Sequence, residues 1–414
     1  MRVTAEEHVS WILERVTALP EMDVAIGDAH GYTLAEPVLA RHPLPLWDNS
    51  AMDGYAVRAA DVSGASADSP AVLRVTGEVP AGSTADPGIA PGESVRIMTG
   101  APVPSDADAV IPVELTLGDR EDSAWAKELV RVIRAAPVGA NIRRAAEDTA
   151  AGSVLAEAGT RLGAARLAAL AAAGVARVRV RRAPRVAVIA TGSELRAPGA
   201  PLARGQIPES NSLLISGLLR ELGIDAVEVR HSADEAVPLA AELSTLAERC
   251  DVIITTGGVG PGTHDVVRIA LEREPEVRAL RVAVRPGQPQ CAGRLAGGAF
   301  IFALPGNPVS AAVSFELFVR PALLAMQGRA ELGRVVHQAS AETDWRGTED
   351  RLQVLPVIVR SSADAGLVCV PAVNPRGVSH AVGGHGASNG YAMIGIGRGD
   401  VTAGETVPVV LVTP

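Results

Sequence analysis

Two acids in this chain stand where a phosphate-bearing ligand would meet a parallel sheet. Asp265 ends the run TTGGVGPGTHD, which begins at Thr255 after the apolar stretch VII, and Glu194 lies in ATGSEL, at the end of the strand pattern VAVIATG. Each run reads as a strand, a glycine-rich turn formed in the second case by Thr191 and Gly192, and then further structure. Such turns bring backbone N–H groups and helix N-termini to the C-terminal edge of a sheet, the place where phosphate ligands bind in open α/β folds. Two carboxylates at neighbouring strand tips are suited to holding Mg²⁺ together with phosphate oxygens, although Asp265 equally suits a helix N-cap. A third run, ALPGNPVSA from Ala303, follows the apolar FIFAL. There Asn307 can take left-handed geometry and Pro308 can open a helix. RPGQP supplies Arg285, either a planar fork for an oxyanion or a solvated surface side chain. WDNSAMDGYAV, MTGAPVP and IRRAAEDTAAG add Asp48, Asp53, Thr99, Arg143, Arg144 and Asp148, which by composition alone pass as turns and a solvated ion pair.

The 414 residues are enough for two to four domains, each with its own core. Apolar residues make up 47% and aromatics only 3%, so Ala, Val and Leu must fill the interior. The 42 glycines and 29 prolines are spread along the chain, which argues for loop-rich globular structure. A net charge of −9, with Lys127 as the one lysine, argues against a general nucleic-acid surface and leaves an anionic ligand dependent on a local pocket. Cys250, Cys291 and Cys369 are isolated and odd in number, as expected of buried thiols in a reducing cytoplasm, with neither disulfide nor zinc spacing. No signal peptide and no transmembrane-length apolar run is expected, so the reading is cytoplasmic.

The elements that must position these residues follow from periodicity. Thr4 to about Leu19 reads as a helix with Thr4 as N-cap and Glu7 three residues on, and Pro20 ends it. Proline-punctuated extended chain follows to about Asp61. VLRVTG, SVRIMTG and ADAVIPVE then predict a small all-β unit from about Trp47 to Pro137. Leu162 to Gly174 is an alanine-rich helix stopped by glycine. Between Pro184 and about Gln327, strands VAVIATG, AVEVR, DVIITTGG, LRVAVRPG and AFIFALPG alternate with helical patterns, which predicts a mostly parallel three-layer α/β/α domain. From about Arg329 onward short strands and Gly turns predict a β-barrel or sandwich.

The ordered set DNSAMDGYA, GEVPAGS, IMTGAPVP, GANIRRAAEDTAAG, ATGSEL, SNS, TTGGVGPGTHD, RPGQP and LPGNPVSA resembles the molybdopterin molybdenumtransferases, from about Arg2 to Pro414. The resemblance implies a multidomain α/β plus β subunit: residues 1–46 with 139–180 as a segment-built N-terminal domain, 47–138 as an inserted β domain, 181–328 as the molybdopterin-binding α/β domain and 329–414 as a C-terminal β domain. It implies a homodimer whose cleft is shared between subunits, with Mg²⁺ on Glu194 and Asp265 and with Asp53, Thr99 and Asp148 acting across the interface. Thr191, Gly192, Ser193, Gly257, Gly258, Val259, Arg285, Pro305, Gly306, Asn307, Pro308 and Ser310 would bind substrate. The implied reaction takes adenylylated molybdopterin and molybdate, releases AMP and leaves molybdenum on the dithiolene sulfurs, in a pathway shared with an adenylyltransferase and the molybdoenzymes served. The chain departs from the family pattern at Gly260, where serine is usual, at Arg285 and Gln288 in place of lysines, at Ala146 in place of glycine, and at Arg230, His231 and Ser232 in place of an acidic pair. Two alternatives remain: adenylyl transfer to molybdopterin, which the additional β domains disfavour, and a non-catalytic carrier or scaffold. A dinucleotide oxidoreductase lacks its GxGxxG signature here.

Overall fold

The computed structural model describes residues 2–118, 125–225, 227–260, 265–364 and 366–412. Its centre is a six-stranded sheet in the order 227–232, 186–191, 252–256, 300–304, 289–294, 277–281. The first four strands are mutually parallel, and runs such as VIITT and FIFAL are buried along their whole length, as expected of a sheet covered on both faces. One face packs on the helices Asn211–Glu221 and Pro308–Ser314 through Ile215, Leu219 and Val309. The other packs on Ala236–Ala247 and Val266–Ala270 through Leu239, Leu243 and Val267. The chain therefore leaves strand Val186–Thr191 toward one face and strand Val252–Thr256 toward the other. These two strands are neighbours, so their C-terminal tips flank a topological switch point.

LRVAVRPG differs from its reading as one strand. Val277–Arg281 is the antiparallel edge of the central sheet, Val284–Arg285 pairs with the C-terminal sheet, and Pro289–Arg294 returns as an additional antiparallel strand. The C-terminal strands Val336–Ala341, Leu352–Ser362, Gly366–Pro371, Gly390–Ile394 and Thr406–Leu411 close on themselves through the pairing of Leu352–Ser362 with Gly390–Ile394, which makes a barrel. A separate six-stranded sheet, including Gly54–Val57, Ala71–Val79 and Glu93–Ile97, forms within the segment expected to be all-β. Glu21–Ala25, Thr33–Leu34 and Arg177–Arg181 form a small sheet that packs on the helix Ala164–Ala172, with Gly174 in left-handed geometry after it.

The N-terminal helix is capped as expected: Thr4 Oγ1 accepts from Glu7 N and Glu7 Oε2 accepts from Thr4 N. It is shorter than its sequence pattern, ending at Leu13, because Leu19 N instead donates to Met326 O at 2.7 Å and ties the following turn to the helix Arg320–Met326. Its apolar face, with Ala5 and Ile12, packs into the core of the α/β unit, which Val16 of the following turn joins, and not into that of the 139–180 segment. The helical run Pro308–Met326 has the length and apolarity of a membrane span, yet 78% of it is buried inside this unit, so core packing accounts for its composition.

His8 sits at this junction, 1% exposed, edge-on to Phe318 at 4.8 Å and with Nδ1 2.9 Å from Arg278 Nη2. Burial, and then the Arg278 charge, lower its pKa from 6.5 to about 3. The unfolded chain therefore takes up this proton at a higher pH than the folded one. Stability linked to His8 is complete above about pH 6.5 and falls with acidification at up to about 1.4 kcal/mol per pH unit. Urea midpoints measured between pH 7 and 5, where carboxylates remain ionised, should decline in the native chain. His8→Leu should flatten that decline, and an unchanged slope would remove His8 as its source.

Candidate active site

The tips of strands Val186–Thr191 and Val252–Thr256 touch: Thr191 Oγ1 donates to Thr256 O at 3.2 Å, and a Cβ on Gly257 would lie 2.7 Å from Thr191 O. Gly257 also has φ +100°, so only glycine lets the chain turn here against the neighbouring strand. Above these tips opens a cavity of about 640 Å³ lined by Thr191, Gly192, Glu194, Asn211, Asp234, Thr256, Gly257, Gly258, Val259, Gly260, Asp265, Pro305, Gly306 and Asn307, among others. Glu194 and Asp265, far apart in sequence, thus face one space. Pro261 to His264 of the glycine-rich run lie outside the described residues.

Asp265 is the residue before the helix Val266–Ala270, but its side chain does not cap that helix. Its Oδ1 accepts from Gly260 N at 2.7 Å and closes the turn instead. A Cβ at position 260 would come within 3.0 Å of both Asp265 carboxylate oxygens, so glycine where serine is usual fits this close carboxylate. Glu194 folds back over its own turn, its Oε2 lying 2.6 Å from where a Cβ on Gly192 would stand, and Gly192 itself has φ +153°. The Glu194 carboxylate is exposed and makes no hydrogen bond or ion pair among the described residues.

A third acid in the cavity, Asp234, was not anticipated. Its Oδ2 accepts from Ser193 N at 2.8 Å and its backbone N donates to Ser193 Oγ at 3.3 Å, which clamps the ATGSEL turn. This acid stands two residues beyond the strand Val227–Ser232, whose own end carries Arg230, His231 and Ser232. Asn211 was likewise passed over as a site residue, although it lies inside the quoted SNS run. Its Nδ2 donates to Gly306 O at 2.7 Å, and among the described residues its buried Oδ1 has no partner, nor has Thr256 Oγ1. Buried polar atoms rarely stay unsatisfied, so both suit a ligand.

The other expected residues divide. Thr191, Gly192, Gly257, Gly258, Val259, Pro305, Gly306 and Asn307 line the cavity, whereas Ser193, Pro308 and Ser310 do not. Asn307 has φ −68° and ψ 126°, extended and not left-handed, because it serves as the residue before a helix opened by Pro308. Arg285 does not line the cavity: its Nη2 donates to Pro375 O at 3.2 Å and Arg376 O at 3.3 Å in the C-terminal unit. The described lining thus carries three carboxylates and no Arg or Lys.

Asp53, Thr99 and Asp148 are also outside this cavity in their own chain. Asp53 Oδ1 accepts from Thr99 N at 2.7 Å and from Thr99 Oγ1 at 2.8 Å, and these bonds lower its pKa. Asp48 receives Ala145 N at 2.8 Å and Arg144 Nη1 at 2.5 Å, joining the extended 44–53 segment to the 141–148 loop that carries Asp148. The pairing of Asn49–Ser50 with Ile142–Arg143 fixes the same junction.

Fold and site together define the class: a multidomain α/β protein with an acidic, glycine-rimmed cleft at a sheet switch point. Residues 3–174 match the MoeA N-terminal region (domain I and II), 187–325 a probable molybdopterin binding domain, and 338–412 the MoeA C-terminal region (domain IV). The chain is 41% identical to the Mycobacterium tuberculosis protein named molybdopterin molybdenumtransferase 2, over 78% of this chain and 80% of that one. It is 33% identical to molybdopterin molybdenumtransferase 1 of the same organism over 98% of each. The crystal structure of a molybdopterin biosynthesis MoeA protein from Pyrococcus horikoshii superposes with a TM-score of 0.82 at 27% identity, covering 100% of both chains. The chain belongs to the molybdopterin molybdenumtransferase family.

The tip contact makes a direct prediction. Gly257→Ala should destabilise the fold by about 1–3 kcal/mol, from the left-handed φ and the Thr191 clash together. Urea unfolding measures it, and a loss below about 0.5 kcal/mol would show that the strand tips yield.

Proposed function

We propose that this chain is an enzyme of molybdenum cofactor biosynthesis that inserts molybdenum into adenylylated molybdopterin with release of AMP, and that the acidic switch-point cavity is where the reaction takes place. The observation that carries this reading is the charge of the described lining: three carboxylates without a basic side chain would repel a pyrophosphate unless a cation came with it. The donors suit magnesium, a hard ion that takes one or two carboxylates and leaves its remaining positions to water and substrate phosphates. Glu194 and Asp265 would hold it, with Asp234 bracing the Glu194 turn through Ser193. When bound, the ion supplies charge neutralisation at the phosphate oxygens as AMP departs.

The chain itself supplies position. The glycines at 257 and 258 and the Pro305–Asn307 turn leave a backbone-walled cleft, and Thr256 and Asn211 offer unsatisfied polar atoms to the ligand. The reacting groups are the dithiolene sulfurs and the molybdate oxyanion, both substrates, so no protein nucleophile is needed. Engagement of Arg285 by the C-terminal carbonyls leaves the described cavity without that expected anion fork and favours a carrier as the second reading. Purified chain given adenylylated molybdopterin, Mg²⁺ and molybdate separates the two. AMP release coupled to molybdenum uptake supports transfer, and tight pterin binding without AMP supports a carrier. In the transferring enzyme, Glu194→Ala and Asp265→Ala should each lower AMP release by about 100-fold or more with unchanged circular dichroism. Undiminished release in both would move the cation elsewhere.

We also propose that a second copy brings Asp53, Thr99 and Asp148 to the cleft. They lie off the cavity of their own chain, and the neighbouring Leu46, Trp47 and Met52 are 47%, 50% and 38% exposed, an apolar surface suited to a subunit contact. Mixing inactive Asp53→Ala with inactive Asp265→Ala should restore about a quarter of the sites in a random dimer population. No recovery in a verified mixed dimer would put every group in one subunit.

A further inference from the structure

A larger cavity, of about 850 Å³, opens at the junction of three structural units and is lined by five arginines: Arg161, Arg166, Arg320, Arg329 and Arg334. Arg161 comes from the chain before the helix Ala164–Ala172 and Arg166 from that helix, Arg320 from the last helix of the α/β unit, and Arg329 and Arg334 from the connector into the barrel. The connector is held firmly at its start: Ala330 N donates to Gly159 O at 3.2 Å, and a Cβ on Gly159 would lie 3.0 Å from Ala330. The five charges are unequally matched. Arg334 forms a two-pronged pair with Glu316 at 2.7 and 3.0 Å, and Arg320 Nη1 donates to Leu332 O at 2.9 Å. Arg166 Nη1 is bound to Arg161 O at 3.1 Å. Among the described residues, the guanidinium groups of Arg161 and Arg329 pair with no carboxylate, and Arg329 Nε is buried without any acceptor. The two acids of the lining, Glu221 and Glu331, are exposed and make no ion pair among the described residues.

We infer that this cavity is an anion site for a small ligand carrying a tetrahedral dianionic group, such as a phosphate, held by Arg161, Arg166 and Arg329. Guanidinium forks match the oxygens of such a group in pairs, and a buried donor without an acceptor is what a bound oxyanion would satisfy. Crowding supports the same conclusion: burial, then the Arg161 and Arg320 charges, lower the Arg329 pKa to about 10, and a bound dianion would relieve that repulsion. The volume admits a ligand as large as a nucleoside monophosphate. Because the walls come from three units, occupancy would also clamp those units together. This site is independent of the acidic cleft and of the reaction proposed for it.

The full chain, in EDTA and at ionic strength fixed with chloride, should be titrated with inorganic phosphate, molybdate and AMP by calorimetry and thermal melting. Saturable heat and a rise in Tm are expected with phosphate, and both should persist in Glu194→Ala, which places the site away from the acidic cleft. Arg161→Met and Arg329→Met should each weaken affinity about tenfold. AMP binding more tightly than phosphate identifies a nucleotide ligand, and equal affinity identifies a free oxyanion. The exposed substitutions Arg161→Met and Arg166→Met decide the matter if Arg329→Met fails to fold. Absence of saturable binding for all three anions, or affinities unchanged by the arginine substitutions, overturns the assignment.

Discussion

Like charges gathered at the end of a parallel sheet are the constraint around which this molecule is arranged. Glu194, Asp234 and Asp265 line one cavity whose described wall offers no Arg or Lys, so their charges reinforce one another and an anion entering alone would be repelled. The local structure manages that repulsion by hydrogen bonding. Gly260 N holds Asp265 and Ser193 N holds Asp234, whereas Glu194 stays exposed to solvent, where its charge is cheapest to keep.

The sheet order brings these groups together. Strands Val186–Thr191 and Val252–Thr256 lie side by side but send their following chain to opposite faces, and that divergence opens the crevice. The contact between Thr191 and Thr256, with Gly257 passing close over the Thr191 carbonyl, fixes how far the two tips can separate. The glycines of the motif thus act partly through strand packing and not only through access for a ligand. Gly260 has a different role again, giving room to the Asp265 carboxylate.

The surrounding units are joined to the sheet by specific contacts and not merely strung along the chain. The N-terminal helix packs on the α/β unit through Ala5 and Ile12, and Arg285 crosses from the central unit to the carbonyls of Pro375 and Arg376. The arginine-lined cavity occupies another such junction, with its charges incompletely matched by the nearby acids. Interfaces that carry unpaired charge are suited to ligand control, because an added anion strengthens every wall it touches.

Motif order and hydrophobic period, both local properties, were enough to reveal the family resemblance, the three-layer α/β unit, the barrel-like end, the Thr4 cap and the candidate acids Glu194 and Asp265. Tertiary structure decided what depends on distant pairing. It split LRVAVRPG between two sheets, because Val277–Arg281 and Val284–Arg285 find different neighbours. It shortened the first helix through the Leu19 bond to Met326, turned Arg285 away from the cleft, and brought Asp234 and Asn211 into it. Asp234 carried a weak signal, an acid just beyond a strand, and Asn211 a stronger one inside SNS. Neither could be placed without knowing which strand tips adjoin, since that depends on sheet order and no local periodicity encodes it.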